Sequence, residues 1–158
     1  MIDKIIEVER IEDVINVFGS FDQNLRILEA ELGVKVLDRE NALHICGEAE
    51  DVMLAEKAIA GLLTLAAKGE NISDQNVRYV LRLVQQGRED KIQELVGDVI
   101  CITANGKPIK PKTIGQKLYC DAIASNTITV GEGPAGTGKS YLAVAAAVAA
   151  FRAEEVNR

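Results

Sequence analysis

The chain has 158 residues, 47% of them apolar and 27% charged, with a net charge of −6; that suits one ordinary globular domain or two small ones. Its longest apolar run, Tyr141 to Phe151, is 11 residues, too short to cross a bilayer, so no membrane partner is expected. The first ten residues carry acids and no unbroken apolar core, and do not read as a secretory leader.

Cys46, Cys101 and Cys120 lie far apart, are odd in number and form no C-x-x-C pair. They are expected to be reduced, mostly buried thiols of a cytosolic protein rather than a metal or redox site. The charge is unevenly placed: residues 1–70 carry 15 acids and 7 bases, and residues 71–158 carry 9 acids and 11 bases. Two modules of different character follow from that asymmetry.

In chain order, residues 4–10 suggest a strand, and residues 11–18 a short helix closed by Gly19. The segment from Ser20 predicts a helix, with Ser20 and Gln23 as a capping box, Leu25, Leu28 and Leu32 on one face, and Gly33 ending it. Residues 34–47 read as a hairpin in which Val34, Val36, Leu43 and Ile45 alternate with other residues; the turn is Asp38-Arg39-Glu40-Asn41. A long amphipathic helix follows to about Gly69, turning Val52, Ala55, Ile59, Leu62 and Ala66 inward. Another helix opens at Ser73, helped by Asp74 at its positive end, and closes at Gly87. Residues 88–98 are polar with a further helical turn expected. Residues 99–109 read as a strand and an Asn-Gly turn, residues 113–125 as a helix, Thr127–Val130 as a strand, and the last apolar run as a helix buried on most sides. The resulting division is 1–70, 71–105 and 106–158, in an α/β chain with an α+β front module.

Between strand and final helix stands Gly133-Pro134-Ala135-Gly136-Thr137-Gly138-Lys139-Ser140, which satisfies G-x-x-x-x-G-K-[ST]. Glycines let successive backbone N–H groups turn toward one point, and the following helix adds its N-terminal dipole. These are the requirements of a phosphate cradle. Lys139 would bridge the β- and γ-phosphates of ATP, and the Ser140 hydroxyl would hold Mg²⁺. Gln116 has two readings. With Thr113 it forms a further capping box; its amide can also pair with adenine.

The stretch from Pro111 to Ala143 resembles the start of the ATPase domain of the PhoH-like family, named for induction by phosphate starvation, and residues 17–48 resemble that family's N-terminal region. The resemblance implies an Mg²⁺-dependent ATPase acting with RNA, adenine contact by Gln116, and ring-like homo-oligomers of the intact protein. Hydrolysis also needs an acid at the end of a later parallel strand. Asp38 ends an apolar strand but belongs to the front hairpin. The chain is therefore expected to be a front module joined to the opening of an ATPase domain that continues past residue 158.

The order β-α-α-β-β-α of the front module, with Gly19-Ser20-Phe21-Asp22 between its first helices, resembles a KH domain. In RNA-binding members that loop clamps the nucleic-acid backbone. Here Asp22 and a surrounding charge of −8 oppose phosphate, so a docking or oligomerisation role stands beside RNA binding. Lys107, Lys110, Lys112 and Lys117 lie in a stretch without acids and are the better electrostatic candidates for nucleic acid; the alternative is a solvated linker. His44, the single histidine, is expected to be structural.

Overall fold

The computed structural model describes residues 2–39, 42–97 and 99–157. It is a mixed α/β structure that divides into two compact units, Met1–Val96 and Gly97–Arg158.

The first unit contains β1 (Ile2–Glu7), α1 (Ile11–Phe18), α2 (Gln23–Leu32), β2 (Lys35–Arg39), β3 (Ala42–Gly47), α3 (Ala49–Ala67) and α4 (Asp74–Gln85). Its antiparallel sheet has the order β1-β3-β2. The pairing sets Ile5 opposite His44 and His44 opposite Leu37. Because side chains alternate along a strand, this face of β3 is half-exposed, while Leu43 and Ile45 on the other face are fully buried against the helices. The hairpin forms as expected, but Asp38 and Arg39, read from the sequence as turn residues, are paired in β2 with Leu43 and Ala42; Glu40 and Asn41 lie outside the described residues.

The long helix buries the five residues its periodicity selected, Val52, Ala55, Ile59, Leu62 and Ala66. Burying Leu28, Leu43, Ile45, Ile59 and Leu62 contributes about 1.5–3 kcal/mol each. Gly61 sits inside α3, where glycine costs roughly 0.5–1 kcal/mol against alanine. A Cβ there would come 2.7 Å from Cδ1 of Ile92. The glycine thus seats Ile92, from the 3₁₀ segment Glu89–Leu95, against the helix.

The start of α2 differs from expectation. Ser20–Asp22 form a 3₁₀ turn, α2 opens only at Gln23, and Asp22 at its N-cap makes no side-chain cap. Phe21 (φ 53°) and Asp22 (φ 56°) are both left-handed, so Ser20 is turned away from the capping position. Gly33 ends the helix in the left-handed region as expected.

Residues 70–72 are pinned by two asparagines. Asn16 donates to the Glu70 carbonyl (2.7 Å) and accepts from the Ile72 N–H (3.0 Å). The fully buried Asn24 donates to the carbonyls of Val17 (3.1 Å) and Ile72 (3.2 Å). They deliver the chain to Ser73, whose hydroxyl and Asn76 form a capping box for α4. The helix then packs on α2 and α3.

The second unit holds the hairpin β4 (Cys101–Ile102) and β5 (Pro108–Ile109), then α5 (Ile114–Ser125) and α6 (Lys139–Arg152). Gly106 (φ 75°) makes the Asn-Gly turn. Arg152 Nη1 donates to the Ile102 carbonyl (3.0 Å), tying the end of α6 to the hairpin. Two expectations fail here. Residues 127–130 form no strand: Ile128 and Val130 are 83% and 87% exposed. A strand needs hydrogen-bonded neighbours, and β4 and β5 pair with one another instead. Nor is α6 buried on most sides. It buries Leu142 and Ala145 and exposes Tyr141, Val144, Val148 and Phe151, because an apolar helix buries only the face that another element covers.

Among the described residues, no helix is long and apolar enough to cross a membrane.

Candidate nucleotide-binding site

The site is built on the N-terminus of α5, the extended segment after it, and the turn into α6. Thr113 caps α5 by accepting from the Gln116 backbone N–H (3.1 Å). The reciprocal half of a capping box is absent. The Gln116 Oε1 accepts instead from the backbone N–H of Lys112 (2.7 Å), and its Nε2 donates to the carbonyl of Thr137 (3.1 Å). Gln116 thereby joins the helix to the glycine-rich loop.

In that loop Gly133 (φ 153°), Gly136 (φ 76°) and Gly138 (φ 86°) take backbone angles that L side chains rarely adopt. A Cβ on Gly133 or Gly136 would meet nothing within 4 Å. Those two glycines are required by conformation alone. On Gly138 a Cβ would also lie 3.2 Å from Gln116 Nε2.

Helix α6 begins at Lys139, and the Leu142 N–H to Gly138 carbonyl bond (2.9 Å) closes its first turn. The N–H groups of Lys139, Ser140 and Tyr141 precede that bond, at the positive end of the helix. The Lys139 ammonium folds back over the loop. It donates to the carbonyls of Gly133 (2.9 Å) and Pro134 (2.6 Å) and to the Thr137 hydroxyl (3.2 Å). Thr137 in turn donates to the Pro134 carbonyl (2.9 Å). Ala135 and Ser140 are exposed beside this ring of contacts.

A cavity of about 290 Å³ runs from Gly133, Pro134, Thr137 and Lys139 to Gln116, Tyr119 and Glu132. Its size is at the small end of the range for ligand sites. Tyr119 and Glu132 were not singled out from the sequence. Tyr119 could have been found, since it lies three residues after Gln116 and shares its face of α5. Gly131 matters because a Cβ there would approach Tyr119 Cε2 to 2.9 Å, so its absence lets the ring lie against the start of the loop.

The lysines suggested for nucleic acid are spread along the unit. Lys107 is exposed at the hairpin and Lys112 just before α5; Lys110 and Lys117 are half-buried. Among the described residues, no group of three or more His, Cys, Asp or Glu side chains is placed to hold a metal ion.

His44 Nδ1 lies 3.3 Å from Asp3 Oδ2 on the sheet, and the Cys46 thiol donates to Asp3 Oδ1 (3.6 Å). The three cysteines are half-buried rather than buried. Burial first, then the Asp3 charge, pushes the Cys46 thiol up, and burial with Asp121 does the same for Cys120. Both shifts disfavour the reactive thiolate. Asp38 stands in β2 of the first unit.

Residues 108–158 match the family described as PhoH-like protein. A PhoH-like protein of Mycobacterium tuberculosis (strain ATCC 25618 / H37Rv) is 45% identical over 146 residues, covering 92% of this chain and 41% of its own length. One from Bacillus subtilis (strain 168) is 31% identical over 147 residues, covering 93% of this chain and 46% of its own. One from Synechocystis sp. (strain ATCC 27184 / PCC 6803 / Kazusa) is 29% identical over 147 residues, covering 93% and 45%. No solved structure matches the chain. It spans less than half the length of these curated relatives. The glycine-lysine loop lies inside the segment that matches the family, so this chain carries a PhoH-like segment at residues 108–158 and is similar to PhoH-like proteins over 92–93% of its length.

Proposed function

We propose that this chain binds ATP at the Gly133–Ser140 loop and is the front portion of an Mg²⁺-dependent ATPase that acts with RNA. The observation that carries the reading is the Lys139 ammonium, held by three oxygens of the loop at the mouth of α6. Phosphate oxygens of a bound nucleotide would replace them as acceptors for the ammonium. On binding, the ammonium exchanges neutral acceptors for charged ones, which make hydrogen bonds roughly twice as strong. Gly136 and Gly138 give the backbone its course around the triphosphate, and the open N–H groups of α6 face the negative charge.

Ser140 would hold Mg²⁺ together with phosphate oxygens and water. A single protein hydroxyl suits this ion, which keeps several waters and is commonly held with substrate phosphates. Mg²⁺ bound there would neutralise charge developing on the transferred phosphoryl group.

Titration of labelled ATP into the chain, with and without Lys139→Ala, tests the reading. At least tenfold weaker binding by the variant is expected; equal affinity would overturn it.

A second reading concerns the first unit. Its order β-α-α-β-β-α supports a KH-like topology. Phe21, between α1 and α2, is 94% exposed on a left-handed turn. Left-handed non-glycine residues concentrate at functional sites, so an interaction role is favoured, with RNA or protein. RNA affinity measured across a salt series decides between them: a phosphate-dominated footprint declines steeply with salt, and no binding at low salt leaves a protein ligand.

A further inference from the structure

Gln116 makes one hydrogen bond on each side of its amide, and both lead into the protein. The orientation follows from the partners, because the Lys112 N–H can only donate and the Thr137 carbonyl can only accept. Thr137 is the node of the loop. Its hydroxyl donates to the Pro134 carbonyl and accepts from Lys139 Nζ, while its own carbonyl is held by Gln116. Gly138, next in the chain, has no Cβ to push Gln116 Nε2 away.

We propose that Gln116 is a positioning residue for the phosphate loop, a strut from the Lys112 backbone to the Thr137 carbonyl that sets where Thr137 and Lys139 stand. This rests on the phosphate-binding reading above for its effect on ligands, though not for the strut itself. Through it, the acid-free lysine segment and the loop move as one piece, since the anchor of the strut is the backbone of Lys112. Reading of a base by the same amide would use the same two atoms, Nε2 as donor and Oε1 as acceptor.

The two roles separate when the ligand has no base. Mg²⁺-ATP and Mg²⁺-tripolyphosphate are titrated into the chain and into Gln116→Ala and Gln116→Met; the second keeps side-chain length and helix propensity. Amide hydrogen exchange of the unliganded proteins is followed at residues 135–138 and at Lys112, with Gln116→Glu added because it retains the acceptor for Lys112 and loses the donor to Thr137. A strut predicts that both ligands weaken by the same factor, about fivefold for one net hydrogen bond. It also predicts that exchange at 135–138 rises in all three variants, while Lys112 stays protected in Gln116→Glu alone. Loss of affinity confined to ATP, with loop exchange unchanged, overturns the proposal in favour of base reading. Should neither ligand bind the unaltered chain, the phosphate reading fails, and the exchange measurement still decides the strut: unchanged exchange at 135–138 in the variants refutes it.

Discussion

Replacing Asn24 by aspartate exchanges one buried donor group for an acceptor and leaves the side chain's shape nearly intact. Asn24 is fully buried, and its Nδ2 holds the carbonyls of Val17 at 3.1 Å and Ile72 at 3.2 Å. Aspartate cannot donate to either. Two buried carbonyls left without that donor cost roughly 1–3 kcal/mol each, so about 2–6 kcal/mol in all. That is a large part of the 5–15 kcal/mol by which domains are stable. No tryptophan is present, so urea unfolding is best followed by far-UV circular dichroism. With an m-value of about 1–2 kcal/mol/M, the midpoint should fall by roughly 1 M or more. The loss should also grow with pH. A carboxyl in this position titrates above its unfolded value, so the folded state binds the extra proton, and stability falls as pH rises through the folded pKa. An unchanged midpoint at neutral pH, or a loss that shrinks as pH rises, would refute the assignment of Asn24 as the clamp on residues 70–72.

Three further outcomes are expected. Phe21→Gly relieves a left-handed side chain worth about 1–2 kcal/mol, offset in part by glycine's entropy, and should raise the melting temperature by a few degrees; a fall would show that the turn is not strained. Gly138→Ala places a Cβ at φ 86° and 3.2 Å from Gln116 Nε2, and should weaken triphosphate binding about tenfold, which isothermal titration would read; retained affinity would contradict the need for that backbone angle. The hydrogen bond from Lys57, with the Glu89 backbone contributing, holds the Glu89 carboxyl below its ordinary value near 4.5. Its contribution to stability is therefore present above that value and lost as pH falls through the lowered one. Lys57→Met should be less stable than the parent at pH 6 and converge on it in acid, as urea midpoints across the range will tell.

Local chemistry made much of this protein legible. The capped start of α4 at Ser73, the Asn105-Gly106 turn, the buried stripe of α3 and the Gly-Lys loop each depend on residues close in the chain, whose sterics and hydrogen bonds act over a few positions. Ser20 misled because capping is a competition: two left-handed residues after it moved the helix start to Gln23. Thr127–Val130 misled because strand propensity is the capacity to pair, and no propensity supplies a neighbour. Asn16 and Asn24 could not be recognised as clamps, since their partners at residues 70–72 lie roughly fifty positions away. For the same reason the amide of Gln116, readable as a cap or as a base contact, acquired its partner only when the loop 21 residues later folded beside it. Sequence alone determined which short segments turn, cap and carry the phosphate-loop residues. The tertiary structure decided which polar groups meet, because a hydrogen bond is set by distance in space and not by separation along the chain.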